Sequence, residues 1–228
     1  MTGMLASVNS VAEALLVLDA AVDIIDLKQP ALGALGAVEA ADVKRIVAAI
    51  DGRRPVSATI GDLPMQPEPV FEAVQLMAET GVDYIKIGFF PGDDWSGTVK
   101  KLSALSQNHA LIAVLFADTW PDLSIMSLLK AEGFSGVMLD TMNKRQGSLT
   151  QLMTATELAQ FVAEAKALQL LCGLAGSLRL ADIPELLPLK ADYLGFRGAL
   201  CKEHKRAGRL NKQAVLAVRQ AVQQMGVE

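Results

Sequence analysis

Several features are scarce in this chain of 228 residues, and each scarcity removes a class of protein. Its 2 cysteines, Cys172 and Cys201, cannot form a disulfide scaffold and fit a reducing compartment, so we expect a cytoplasmic location. Its 2 histidines, His109 and His204, do not lie beside cysteines or carboxylates at the spacing of metal ligands. The sequence therefore predicts neither a disulfide framework nor a metal site.

Long apolar runs and an excess of positive charge are also lacking. The richest apolar stretch, residues 12–27, is interrupted by four carboxylates, whereas a membrane-spanning helix needs about 20 largely apolar residues. The first residues show no basic segment ahead of an apolar core, so no secretory signal is predicted. A net charge of −4 argues against a chain built to bind nucleic acid. We therefore expect neither a membrane nor a nucleic acid among its partners.

What the chain does contain is apolar material for one large core. Apolar residues make up 51% of the sequence, which at this length is enough to bury a core without covalent staples. No low-complexity tract and no Ser/Gly linker marks an internal boundary. We predict a single domain over residues 1–228.

Short apolar runs alternate with segments of helical period along the whole chain. Eight runs of strand length occur, at residues 4–8, 22–28, 56–61, 84–89, 111–117, 136–141, 170–177 and 193–198. The clearest amphipathic segments between them lie at residues 37–50, 69–80, 156–168 and 210–225. This alternation predicts an α/β fold, a single (β/α)8 TIM barrel. An open doubly wound sheet is the alternative, although the glycine-rich nucleotide loop expected after its first strand is absent.

Charged residues stand at the carboxyl ends of three predicted strands, the end that carries the active site in a barrel. Because side chains alternate along a strand, Asp26 and Lys28 share a face, and Asp26 is expected to orient Lys28 or accept its proton. By the same alternation, Lys86 and Asp140 are expected to point into the barrel, with Lys144 in the loop just beyond Asp140. A buried Asp26–Lys28 ion pair without chemistry is the alternative.

Three lysines and two carboxylates at one barrel mouth suit carbonyl chemistry. A lysine near other cations in a dry site loses proton affinity and becomes a nucleophile that forms a Schiff base. A second lysine or an aspartate then moves protons on neighbouring carbons. The cluster predicts an aldolase or lyase that needs neither a metal nor another cofactor.

The last two predicted strands end in small residues. Gly176 and Ser177 end one strand, and Arg197 and Gly198 end the other. Backbone N–H groups at this place bind phosphate in many barrels, and Arg197 would add a bidentate contact. The alternative is that the glycines only permit tight turns. We predict a phosphate site formed by these four residues.

Six segments together resemble the (5-formylfuran-3-yl)methyl phosphate synthases. In chain order they are DIIDLK at 23–28, PVSATIGD at 55–62, DYIKIG at 83–88, MLDT at 138–141 followed by Lys144, LAGS at 174–177 and GFRGA at 195–199. The resemblance runs over nearly the whole chain and implies a (β/α)8 barrel lyase. It implies that two molecules of glyceraldehyde 3-phosphate condense into a phosphorylated furan aldehyde, with loss of one phosphate and water, for methanofuran-type one-carbon carriers.

The same resemblance implies roles for individual residues. Lys28 matches the Schiff-base lysine of the family, and Lys86 matches its proton acceptor. Asp26, Asp140 and Lys144 match its other active-site positions. Because two triose phosphates bring two anionic groups, Lys144 would help to offset their charge.

Two other functions stay open at this point. Another Schiff-base aldolase or lyase acting on a small sugar phosphate would use the same lysines without releasing inorganic phosphate. A non-catalytic sugar-phosphate-binding barrel would bind without turnover. The chain departs from the family pattern at residues 90–95 and 119–124, where closure over the substrate would differ. The sequence leaves the oligomeric state open, with a homo-oligomer favoured.

Overall fold

The computed structural model describes residues 1–92, 94–144 and 146–224. Within this part of the chain, eight parallel strands follow one another around a closed barrel, and the last pairs with the first. They are β1 (Gly3–Val8), β2 (Ile24–Leu27), β3 (Val56–Thr59), β4 (Tyr84–Gly88), β5 (Ala110–Phe116), β6 (Gly136–Asp140), β7 (Leu171–Leu174) and β8 (Tyr193–Phe196). The predicted TIM barrel is confirmed, and the open sheet is wrong because Gly3 of β1 lies opposite Tyr193 of β8.

The helices lie outside the strands. They are α1 (Val11–Asp19), α2 (Ala40–Ile50), α3 (Pro67–Ala78), α4 (Trp95–Ser106), α5 (Ile125–Ala131), α6 (Leu149–Leu152), α7 (Ala155–Ala167), α8 (Ile183–Leu186) and α9 (Lys212–Gln224). The four predicted helices correspond to α2, α3, α7 and α9 with shifted ends, and Met225, the predicted end of the last one, lies outside the described residues. The single domain over residues 1–228 stays a prediction, since residues 93, 145 and 225–228 also lie outside the described part.

Local sequence signals explain where several helices begin. Ser10 caps α1 by accepting a hydrogen bond from the Glu13 N–H. Thr154 and Glu157 form a reciprocal capping box at the start of α7. Among the helices that the structure describes, none is long and apolar enough to cross a bilayer.

The apolar core consists of two layers. The larger layer lies between strands and helices and includes Ile25 and Leu27 of β2. The smaller one fills the barrel interior and includes Leu5, Ile24 and Met138. Because side chains alternate along β2, Asp26 shares the inward face with Ile24 and lies above this apolar filling. The charged side chain of Asp26 therefore lies on the carboxyl-end side of the apolar filling.

Candidate active site

A cavity of about 250 Å³ opens at the carboxyl ends of the strands. Most of the predicted site residues line it, namely Lys28, Lys86, Asp140, Lys144, Gly176, Ser177, Arg197 and Gly198. The ninth, Asp26, lies beside the cavity and is bonded to Lys86. The structure thus brings all nine predicted residues to one end of the barrel, while their catalytic roles stay predictions.

Asp26 is a fully buried carboxylate whose two oxygens accept three hydrogen bonds. Oδ1 accepts from Lys86 Nζ at 2.9 Å and from Ser57 Oγ at 2.7 Å. Oδ2 accepts from Ser7 Oγ at 2.7 Å. Burial opposes ionisation, but Lys86, Lys28 and the Ser57 hydrogen bond outweigh it and lower the pKa of Asp26 below its usual value. Asp26 is therefore a satisfied anion that holds the amino group of Lys86 in place.

The two serines follow from strand register. Ser7 of β1 and Ser57 of β3 lie directly opposite Asp26 on the neighbouring strands. Sequence reasoning missed them, although a hydroxyl within an otherwise apolar run is a readable signal. Such a buried hydroxyl needs a hydrogen-bond partner, and here the partner is the carboxylate.

Lys28 directly follows β2, and its own N–H donates to the Val8 carbonyl at 2.9 Å. Its Nζ donates to Asp140 Oδ2 at 3.1 Å across the barrel. Asp26 pairs with Lys86 and not with Lys28, so the prediction that Asp26 orients Lys28 and the alternative of an Asp26–Lys28 ion pair are both wrong. That Asp26 accepts the proton of Lys28 stays a prediction. Parity along a strand fixes which face a side chain takes, whereas the choice of partner depends on how the barrel closes.

Burial dominates the electrostatics of Lys28, which is only 6% exposed. Burial lowers its pKa to about 8; the charges of Lys144 and Lys86 add to this effect, and Asp140 and Asp26 oppose it. A lysine with this pKa carries an appreciable fraction of neutral amine near neutral pH. The neutral amine is the form that attacks a carbonyl carbon.

Asp140 ends β6 and is shared by two ammonium groups. Oδ2 accepts from Lys28, while Oδ1 accepts from Lys144 Nζ and from the Thr141 N–H. Burial opposes ionisation, but Lys144 and Lys28 outweigh it and hold the pKa of Asp140 well below its usual range. One carboxylate therefore binds the amino groups of two lysines.

Two carboxylates that sequence reasoning missed hold the loops that carry the lysines. Asp62, just after β3, accepts from the Ala34 and Leu35 N–H groups at 2.7 and 2.6 Å in the loop that follows Lys28. Asp118, just after β5, likewise accepts from two backbone N–H groups at residues 142–143, next to Lys144. Both are aspartates just past predicted strands, whereas the prediction of Asp140 rests on its inward position within a strand.

The ends of β7 and β8 at the predicted phosphate site carry the backbone N–H groups of Gly176, Ser177, Gly198 and Ala199, which we call the backbone cradle. Gly176 has φ +111°, and a Cβ there would lie 2.8 Å from Thr141 Cγ2, so glycine is required. The N–H groups of Gly176, Ser177, Gly198 and Ala199 have no acceptor in the described part of the chain. They lie at the ends of β7 and β8, which line the cavity.

The side chain of Arg197 does not take the predicted role. All of its N–H donors are used within the protein: Nη1 and Nη2 bind Glu13 at 2.6 and 3.3 Å, and the others bind backbone carbonyls. A guanidinium has five donors, so none is left for a phosphate. The predicted bidentate phosphate contact is therefore wrong, because the guanidinium of Arg197 already binds Glu13 and three backbone carbonyls. Arg197 is a positioning residue.

The loop after β8 contributes two side chains that the phosphate prediction did not include. His204 and Arg206 both line the cavity. His204 is an exposed loop residue, as the sequence predicted. Among residues 1–92, 94–144 and 146–224, no group of three or more His, Cys, Asp or Glu side chains is arranged to hold a metal ion.

Comparisons with known proteins agree with the motifs. The family model of the 4-HFC-P synthases matches residues 4–219. A Methylorubrum extorquens protein named "Putative (5-formylfuran-3-yl)methyl phosphate synthase" is 42% identical over 220 residues, covering 95% of this chain and 91% of the relative. The (5-formylfuran-3-yl)methyl phosphate synthase of Methanocaldococcus jannaschii is 32% identical over 206 residues, covering 85% and 88%.

Solved structures show the same fold at low sequence identity. Phosphoribosyl anthranilate isomerase from Thermus thermophilus has a TM-score of 0.71 at 14% identity, covering 99% of this chain and 100% of that chain. A 3-hexulose-6-phosphate synthase has a TM-score of 0.64 at 17% identity, covering 97% and 100%. At these low identities the solved structures show only that the fold is shared. The family match and the identities of 42% and 32% show the family. This chain belongs to the (5-formylfuran-3-yl)methyl phosphate synthase family.

Proposed function

We propose that this chain is a (5-formylfuran-3-yl)methyl phosphate synthase, a carbon–oxygen lyase. It condenses two molecules of glyceraldehyde 3-phosphate into the furan phosphate with loss of one inorganic phosphate and two molecules of water. The product supplies a methanofuran-type one-carbon carrier. The observation that carries the proposal is Lys28, a buried amine with a lowered pKa that shares Asp140 with a second ammonium group.

Lys28 supplies the nucleophile. Its neutral Nζ attacks the aldehyde carbon of the first triose phosphate, and the carbonyl oxygen leaves as water to give a protonated imine. Lys144, bonded to the same carboxylate as Lys28, is placed to donate a proton to the departing oxygen. Asp140 holds both groups and compensates the positive charge that the imine retains.

Lys86, as the neutral amine, accepts the proton on the carbon next to the imine and becomes an ammonium group that Asp26 stabilises. It lines the same cavity, and its Nζ is held 2.9 Å from Asp26. Removal of that proton gives an enamine, whose electron pair expels the phosphate group on the following carbon. The three-carbon unit stays on Lys28 until it joins the second triose phosphate. Hydrolysis of the imine then frees the amine.

The backbone cradle at the ends of β7 and β8 binds the phosphate of the imine-bound substrate. Its four N–H groups have no acceptor among the described residues, and hydrogen bonds to a phosphate dianion are charge-assisted. The cradle also lies against the strand that ends in Asp140, because Gly176 packs on Thr141. A triose phosphate on Lys28 therefore has its carbonyl at Asp140 and its phosphate at the cradle.

The experiment is incubation of the purified protein with glyceraldehyde 3-phosphate, with the product identified by mass spectrometry and inorganic phosphate assayed in parallel. The account expects the mass of (5-formylfuran-3-yl)methyl phosphate and one phosphate released per product. A different aldol product without phosphate release would indicate another Schiff-base enzyme. Binding of substrate with neither turnover nor a borohydride-trapped adduct would indicate a sugar-phosphate-binding barrel. The Lys28→Arg variant is the matched control.

A further inference from the structure

The loop after β8, residues 201–210, is held closed beside the mouth of the barrel. Cys201 and Leu210 form an antiparallel bridge at its base. Arg197 Nε and Nη2 donate to the Arg206 and Gly208 carbonyls, each at 2.8 Å. Glu13 clamps Arg197 and also accepts from the Leu210 N–H at 3.3 Å. The saturated guanidinium of Arg197 thus fixes the backbone of this loop.

The loop carries a second arginine whose side chain is almost unused. Arg206 is partly buried and lines the cavity, and Nη2 donates to the Gly33 carbonyl at 3.0 Å. Its other N–H groups have no acceptor among the residues that the structure describes, and no carboxylate of that part forms an ion pair with it. Burial lowers the pKa of Arg206 below its usual value, with a further contribution from the charge of Arg197, and the charges of Asp140 and Asp62 oppose this only in part. The guanidinium therefore lies within the field of the site.

A partly desolvated guanidinium without a carboxylate partner is unfavourable unless an anion completes it. Its planar fork matches the oxygens of a phosphate group, which accepts two parallel hydrogen bonds. Arg206 is therefore suited to a phosphate that enters the cavity with a substrate.

The position of Arg206 distinguishes it from the backbone cradle. The cradle lies at β7 and β8, against the end of β6, and Lys28 Nζ also points to β6 through Asp140. Arg206 is anchored instead at Gly33, in the loop after β2. The reaction proposed above needs places for two phosphates, and the mouth offers two chemically different anion-binding elements, the backbone N–H groups of the cradle and the guanidinium of Arg206.

We propose that Arg206 is a substrate-binding residue that holds the phosphate of the second triose phosphate, while the cradle holds the phosphate of the imine-bound one. This assignment rests on the proposed function for the identity of the two substrates. Arg197 acts through Arg206 as a positioning residue. The phosphate-binding arginine of this site is therefore Arg206, in the loop after β8, and not Arg197, at the end of the strand.

A binding experiment without turnover tests the assignment. The probe is sn-glycerol 3-phosphate, which has the phosphate but no carbonyl and forms no imine, titrated calorimetrically at low salt. The wild-type protein is expected to bind two equivalents. Arg206→Gln should weaken one of the two sites by about 10- to 100-fold, the range for a hydrogen bond to a charged group. Arg209→Gln, which removes the same charge from an exposed position of the same loop, should bind as the wild type does. Unchanged binding in Arg206→Gln would overturn the proposal.

A trapping experiment then decides which phosphate Arg206 serves. Borohydride reduction with glyceraldehyde 3-phosphate should give the wild-type yield of adduct in Arg206→Gln, while furan formation falls by at least about tenfold. Equal loss of adduct and product, in a variant with unchanged thermal unfolding, would assign Arg206 to the first phosphate and overturn the proposal. A wild-type protein that binds two equivalents but makes no furan would refute the proposed function and leave the phosphate-binding role of Arg206 standing.

Discussion

The two halves of the charged cluster differ in how many cations each carboxylate serves. Asp26 binds one ammonium group, Lys86, and two serine hydroxyls. Asp140 binds two ammonium groups, those of Lys28 and Lys144. The first half is a neutral, fully satisfied ion pair, whereas the second carries one positive charge in excess.

The difference explains why one lysine is assigned the nucleophilic role. In a dry site an excess ammonium group is disfavoured by burial and by its neighbour, so its proton is lost more readily. Lys28 has this environment, and its pKa falls to about 8. The Asp26 half instead orients a proton carrier.

The largest expected effect comes from removing the nucleophile of the Asp140 half. Lys28→Arg keeps the positive charge, but a guanidinium stays protonated and is a poor nucleophile. Turnover should fall by about a thousandfold or more, because the covalent route is lost. Phosphate release and furan formation measure it, with circular dichroism as the folding control. An active Lys28→Arg variant would refute the assignment.

A smaller loss is expected in the Asp26 half. Lys86→Met removes the proton carrier without touching the amine that forms the imine. Turnover should fall by about 10²- to 10⁴-fold, the range for loss of a general acid or base. Borohydride reduction should still label Lys28 in this variant. Absence of that label in a folded protein would place Lys86 in imine formation.

Opposite shifts in pH dependence should separate the two partners of Lys28. Imine formation should rise with pH through about 8, because the neutral amine accumulates above its pKa. Lys144 lowers this pKa, so Lys144→Met should move the midpoint to higher pH. Asp140 raises it, so Asp140→Asn should move the midpoint to lower pH, each by about one unit. Trapping rates measured against pH would contradict the account if both variants shifted in the same direction.

The smallest effect on chemistry is expected at the serines that flank Asp26 on the neighbouring strands. Ser57→Ala removes one of three donors to a buried carboxylate, so the free energy of unfolding should fall by about 1.5–3 kcal/mol. Lys86 and Ser7 still hold Asp26, so imine trapping on Lys28 should be nearly unchanged. Denaturant unfolding and trapping yield, measured on the same preparation, check both parts. A large loss of trapping would show that the environment of Asp26 also controls imine formation on Lys28, and would contradict the separate roles of Asp26 and Asp140.

The barrel could be predicted because strand and helix periods are local properties of the sequence. Parity within β2 correctly places Asp26 on the inward face above Ile24. The pairing of Lys28 with Asp140 could not be predicted, since it joins β2 to β6 across 112 residues of sequence. Ordering the strands around the closed barrel is what brings these two side chains together.

At the phosphate site, too, local features could be predicted from the sequence and long-range contacts could not. The glycine-containing strand ends identify the backbone cradle, because glycine at Gly176 is required by local conformation. Whether Arg197 or Arg206 is free to bind an anion depends on Glu13, which is 184 residues from Arg197. A sequence pattern shows where an arginine is located along a strand, but not which acceptors have already occupied its guanidinium.

The most direct test of the central claim is mapping of the lysine that carries the imine. The wild-type protein is reduced with borohydride in the presence of glyceraldehyde 3-phosphate, digested, and sequenced by mass spectrometry. The account predicts a triose-derived adduct on Lys28, with a yield that rises with pH through about 8. An adduct on Lys86 or Lys144, with Lys28 unmodified, would contradict it.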